Sequence, residues 1–305
     1  MRTLPRYALA GLILTCASEV LMLLEVEPFW TWHTSIAWTG YVLFVDGVVW
    51  MRRGHSWVRD SPRELAFLAI LSIPLWLVFE FYNLFIRNWH YIHLPEQPAL
   101  RALGFAWSFA TIWPAILITG EMIGSLRIPS SASPLIAETQ PEALGLERGN
   151  DDASKIRSVS DGSAWEWGPT RILMMVLGAA FLIWPFIQPS AYLAAPVWLG
   201  FVLLVDPINA RWGEASLLVD VCRGRHDRAI NLALSGLLCG VLWEFWNYWA
   251  RAKWIYTVPI MEEVRIFEMP LAGYLGFPAF ALECFTMYVF VRRLLWNGAK
   301  RTIAL

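Results

Sequence analysis

Charged residues make up only 16% of the 305 positions, and the formal net charge is -1. Nothing in that balance provides a basic surface, so nucleic acid is not an expected partner. Cysteine is sparse as well. Cys16, Cys222, Cys239 and Cys284 show no CxxC spacing, and three of them lie in apolar runs. They read as packing residues, neither a disulfide framework nor a metal site. Of the five histidines only His90 and His93 are close together, and they read as a wet interfacial pair. The chain has no Walker motif, no GxGxxG after a strand, no HExxH and no DxxD. Nucleotide, zinc-peptidase and metal-diphosphate chemistry lose support, and neither metal nor cofactor is expected.

Apolar character fills the space that charge leaves. Hydrophobic residues are 57% of the chain and the mean hydropathy is +0.47, values that fit a polytopic membrane protein and not a soluble domain. Eight apolar runs are legible, at about 7–24, 35–51, 65–86, 103–123, 171–187, 192–208, 230–250 and 271–291. The first follows Arg2 and Arg6 but lacks a clean small-residue cleavage site, so it reads as a retained helix. Between 125 and 168 the composition turns to Pro, Ser, Gly and mixed charge, the mark of a disordered linker.

The two halves repeat each other. Trp38 to Asp46 and Trp198 to Asp206 share Trp, Gly, Val, Leu, Val and Asp in register, 160 positions apart. Phe79-Glu80-Phe81-Tyr82-Asn83 and Trp243-Glu244-Phe245-Trp246-Asn247 recur 164 apart, as do Pro95 and Pro259 and the pair Trp113-Pro114 and Phe277-Pro278. Four matches in one order predict an internal duplication. The expected fold is all-α and integral to the membrane, with eight transmembrane helices. Residues 1–124 form one four-helix repeat, 125–168 a cytoplasmic linker, and 169–305 the second repeat. Four spans per repeat is an even number, so the repeats should be parallel about an axis along the membrane normal. Arginines at 52, 53, 59, 63, 211, 223, 225, 228, 292 and 293 place those loops and both termini in the cytoplasm of a bacterial inner membrane.

The functional candidates are the duplicated stripes. Glu80, Asn83 and Arg87, like Glu244, Asn247 and Arg251, stand at i, i+3 and i+7, which is one face of a continuous helix. Acids inside apolar helices are costly and mark functional sites. A carboxyl in such a bundle holds its proton, so Glu244 and Glu80 are candidate proton donors. The alternative is a Glu–Asn pair that glues one repeat to the other. Aromatic residues surround both stripes: Tyr82 and Trp89 in the first copy, and Trp243, Trp246, Trp249, Trp254 and Tyr256 in the second. They can form interfacial belts, or they can stabilise a passing cation at about 1–2 kcal/mol per desolvated ring. Asp46 and Asp206 read as local capping groups, and Glu121, near a helix end, as wet.

An acid, an Asn, then Trp-x-Tyr and a Pro followed by acids, set in duplicated helical bundles, resembles the membrane-integral lycopene cyclases of the two-subunit bacterial and fused fungal–archaeal types. The residues that carry the resemblance are Glu80, Asn83, Trp89, Tyr91 and Pro95, with Glu244, Asn247, Trp254, Tyr256, Pro259, Glu262 and Glu263. Where that family has Pro-x-Glu-Glu, this chain has Pro95-Glu96-Gln97 and Pro259-Ile260-Met261-Glu262-Glu263. The resemblance implies redox-neutral, acid-initiated cyclisation of a polyene end, with a lipid or isoprenoid substrate taken from the bilayer. A pseudo-twofold transporter or channel for a cation, proton or small solute is the second class to consider, and a membrane scaffold the third.

Overall fold

A computed structural model describes residues 2–127, 168–296, 298, 303 and 305. The linker expected between 125 and 168 therefore falls almost wholly outside the described residues. Helices α1 (Arg6–Leu23), α2 (Phe29–Arg53), α3 (Trp57–Asp60), α4 (Pro62–Ile86) and α5 (Pro98–Arg127) make up the first half. The second half holds α6 (Pro169–Ile187), α7 (Ala194–Arg211), α8 (Leu217–Cys222), α9 (Asp227–Trp249) and α10 (Gly276–Leu295). Four short strands stand among them: β1 (Trp89–Ile92), β2 (Lys253–Tyr256), β3 (Arg265–Ile266) and β4 (Met269–Pro270). Among the described residues eight helices are long and apolar enough to cross a membrane. The chain is a polytopic, all-α membrane protein.

Three helix pairings dominate each half. In the first they are α1 with α2, α2 with α5, and α4 with α5; in the second, α6 with α7, α7 with α10, and α9 with α10. Helices α5 and α9 pack together and join the halves. The α1–α2 pair closes on Gly11 and Gly40, and the α6–α7 pair on Gly178 and Gly200. A Cβ added to Gly40 would stand 2.6 Å from the Gly11 carbonyl oxygen, and one on Gly178 would stand 2.7 Å from that of Gly200. Small residues let helix backbones approach this closely in lipid.

Asp46 and Asp206 do the capping work expected of them. The Asp46 carboxylate accepts from the Trp57 and Val58 amides (2.8 and 3.2 Å) and from the Tyr7 hydroxyl (2.7 Å). Asp206 accepts from the Leu217 and Leu218 amides (3.1 and 2.8 Å) and the Ser216 hydroxyl (2.7 Å). Each thereby satisfies the orphan amides that open a short helix, α3 or α8. The N-caps Ser56 and Ser216 also stand 160 positions apart, and each hydroxyl accepts from an amide three residues on. At the same end of the bundle, the buried Glu64 of α4 accepts from the Tyr288 hydroxyl (2.8 Å) and the Arg292 guanidinium (3.1 Å) of α10. That ion pair ties the halves together where both partners are desolvated.

One expectation fails on burial. Glu121 is not wet: it is 0% exposed, and the Trp57 indole donates to it at 3.0 Å. The helix α5 runs on to Arg127 beneath the α3 turn, which covers the acid.

Candidate functional site

At the end of the bundle opposite α3 and α8, strand β1 leaves α4 and pairs antiparallel with β2, which leaves α9. The register places Trp89 opposite Tyr256 and Tyr91 opposite Trp254. Each departure is made by an asparagine. The Asn83 amide donates to the Trp89 carbonyl (2.8 Å), and its oxygen accepts from the Asn88 and Trp89 amides (2.8 and 3.3 Å). Asn247 does the same with Trp254, donating at 2.8 Å and accepting at 2.9 Å. The asparagines thus fix the turn that carries each strand across the bundle, and they do not line the cavity below it.

That cavity, of about 130 Å³, lies beneath the strand pair, walled by α2, α4, α5, α7, α9 and α10. Seven indoles line it: Trp32, Trp38, Trp76, Trp89, Trp198, Trp243 and Trp254. Trp243 meets Trp76 at 5.6 Å, Trp254 at 5.7 Å and Trp38 at 5.9 Å between ring centroids. The contacts with Trp254 and Trp38 are edge to face and that with Trp76 is tilted, so the rings interlock the wall. Tyr91, Tyr256, Phe105, Phe109 and Phe280 add to the aromatic surface, Ser35, Ser108 and Thr111 bring hydroxyls to it, and Arg101 and Lys253 are the cations among its described lining residues. Lys253 is held by Glu268 at 2.7 Å.

Neither Glu80 nor Glu244 lines the cavity. Each sits one side chain behind it. One oxygen of Glu80, Oε1, accepts three hydrogen bonds, from the Trp76 indole (2.8 Å), the Trp89 indole (3.2 Å) and the Tyr91 hydroxyl (2.5 Å). All three donors belong to the cavity wall. Three donors on one oxygen stabilise concentrated negative charge, as an oxyanion hole does. Glu244 has the equivalents of two of them beside it, Trp254 and Tyr256. Among the described residues no donor meets hydrogen-bonding geometry at either of its oxygens, although the side chain is 0% exposed. The missing third donor is readable in the chain: the position 164 after Trp76 is Gly240. Its absent side chain leaves room for the Phe277 ring, which a Cβ there would meet at 2.2 Å. Burial pushes the phenols of Tyr91 and Tyr256 well above their ordinary range.

The other expected residues scatter. Tyr82 donates to the Leu182 carbonyl at 3.0 Å and packs on Phe186, away from the cavity. The Trp246 indole donates to Glu19 at 2.5 Å while its ring meets Trp38 at 4.7 Å. Trp249 is 46% exposed on the bundle's outside. The arginines leave the stripe, because α4 ends at Ile86 with Arg87 left-handed (φ 52°), and α9 ends at Trp249 with Ala250 extended. Arg251 instead pairs with Glu27 at 3.3 Å and lies over the Trp30 ring. The i+7 spacing needs two full turns that neither helix has left.

Sequence reasoning missed Trp76 as a site residue, although it stands at i-4 from Glu80 and therefore on its face. It also missed a cluster beside the site, in which buried His33 bonds Ser18 (2.9 Å) and lies 3.6 Å from Glu19. Scans of the chain against protein-family models, curated proteins and solved structures return no match.

Proposed function

We propose that the chain is a membrane enzyme that cyclises one end of an isoprenoid or carotenoid-type polyene, with Glu244 as the source of the initiating proton. The observation that carries this is the aromatic cavity with a carboxyl behind its wall in each half. A cavity of about 130 Å³ is close to the roughly 150 Å³ void that holds one benzene ring in an engineered core. It therefore suits a single six-carbon end, with the rest of the chain left in lipid. The indole faces would stabilise the cation formed when that end is protonated, and the reaction consumes no redox cofactor. A transporter is less well supported, because Asp46 and Asp206 are spent on caps and Glu19 on the Trp246 indole, which leaves Glu283 as the last of the four acids away from the stripes that a path could use.

The same proposal includes two parallel four-helix repeats. The strand register supports it: exchanging Trp89 with Trp254 and Tyr91 with Tyr256 returns the same two pairs, as an axis through the strand pair along the membrane normal requires. The basic residues around α3 and α8 and at the end of α10 lie at the opposite end, and this supports an orientation with the cavity in the outer half of the bilayer. A reporter fused near Pro95 should then read outside and one within 130–160 inside; the reverse result would overturn the orientation.

The functional test is expression in a host that accumulates an acyclic polyene. Membranes carrying the protein should convert it to an isomer of unchanged mass, with altered retention and a shortened conjugated system. If the acyclic polyene persists unchanged at full expression, the cyclase reading is wrong.

A further inference from the structure

Resting on the cyclase reading above, we propose that Tyr256 and Tyr91 carry the protons between the two carboxyls and the substrate, Tyr256 delivering the first and Tyr91 removing the last. The carboxyls do not line the cavity, whereas both tyrosines do. A proton that starts on Glu244 must cross the wall, and the wall residues beside that carboxyl are Trp254 and Tyr256. An indole N–H donates only, so it cannot relay a proton; a phenol both donates and accepts. Tyr256 is the one group there that can pass a proton on. The first copy shows the same arrangement with its hydrogen bond formed, the Tyr91 hydroxyl 2.5 Å from Glu80.

The steps balance as follows. The Tyr256 hydroxyl gives its proton to the terminal alkene carbon while Glu244 replaces it, leaving a Glu244 carboxylate and a substrate carbocation. Attack by the internal alkene closes the ring and moves the positive charge within it. A ring C–H then breaks, its electron pair forming the new alkene. The proton goes to the Tyr91 oxygen as the Tyr91 proton moves onto Glu80. Glu80 is suited to that ending, because three donors converge on its Oε1 from the cavity wall and leave its other oxygen to take the proton. Exchange with water at the cavity mouth restores both carboxyls, and the net change is isomerisation. The raised phenols of both tyrosines fit neutral hydroxyls that exchange protons in concert without resting as phenolates.

The test uses membranes containing the full chain, an acyclic polyene, and the variants Tyr256→Phe, Tyr91→Phe and Glu244→Gln. Tyr256→Phe should lose activity by roughly two to four orders of magnitude, matching Glu244→Gln. Quenching of tryptophan fluorescence by the polyene should show binding within about threefold of the parent in all three variants. In mixtures of light and heavy water, the parent's rate should curve with deuterium fraction, since two protons move in one step, and Tyr91→Phe should keep that curvature if delivery limits the rate. Should Tyr256→Phe stay active while Glu244→Gln is inactive, the carboxyl reaches the substrate directly and the relay is wrong. A straight dependence on deuterium fraction in the parent also overturns it. Should no variant, nor the parent, form product while quenching persists, the cyclase reading itself fails and the relay with it.

Discussion

Glu244→Gln should insert, fold and bind the polyene as the parent does, yet form cyclised product more slowly by roughly two to four orders of magnitude. At about 1.36 kcal/mol per decade, that is about 3–5 kcal/mol of barrier. The expectation of a normal fold comes from what Glu244 lacks. Trp254 and Tyr256 stand beside the carboxyl, but among the described residues neither meets regular hydrogen-bonding geometry at its oxygens, so a glutamine amide of the same shape disturbs little. What it cannot do is hold a transferable proton. Glu80→Gln is the informative companion. The three donors converge on one oxygen, so the amide oxygen can still accept all of them while the group that would take up the proton is lost. Product formation is measured in isolated membranes, with protein yield and thermal stability in detergent recorded beside it. If Glu244→Gln keeps full activity while Glu244→Ala only lowers yield, the residue holds helices together and donates nothing.

The eight spans were legible because membrane helices announce themselves by length and hydropathy, and each apolar run maps onto one helix. Asp46 and Asp206 were legible as caps because both stand at the end of a run, two residues of the same pattern 160 apart. Glu80 and Glu244 could be singled out as acids in apolar helices, but their unlike surroundings could not. That difference depends on Trp76 and Gly240, which matter only once the strand pair has swung Trp89 and Tyr91, or Trp254 and Tyr256, back over the bundle. The error over Arg87 and Arg251 has a similar origin. Helical spacing was extended past the point where Asn83 and Asn247 turn the chain, and a side chain's hydrogen bonds to the following backbone are not written in periodicity. Trp249 shows the limit of counting aromatics: next to the site in sequence, it is the last residue of α9 and is 46% exposed.

Gly40→Ile should detach the first helix pair, with a larger effect on assembly than any substitution in the cavity wall. A Cβ at position 40 would stand 2.3 Å from the Thr15 hydroxyl oxygen, 2.6 Å from the Gly11 carbonyl and 2.9 Å from the Thr15 amide nitrogen. Two of those three obstacles are backbone atoms of α1, which no rotamer change can move. The Thr15 hydroxyl also bonds the Gly11 and Ala37 carbonyls, at 3.2 and 3.3 Å, so displacing it breaks the polar contact between the helices. Overpacking in a close-packed interior costs about 1–3 kcal/mol where side chains can yield, and here the backbones themselves must part. Separation would also pull at the site, because Glu19 of α1 accepts from the Trp246 indole and His33 of α2 lies against it. The expected result is a lowered unfolding temperature in detergent and protease access to α1, with Gly40→Ala intermediate between parent and Gly40→Ile. Gly200→Ile, which meets the Leu182 side chain at 2.8 Å and the Gly178 carbonyl only at 3.2 Å, should be milder, since a leucine can turn aside. Equal losses at the two positions would show that the α1–α2 crossing is no tighter than its counterpart, and would remove the backbone contact as the cause.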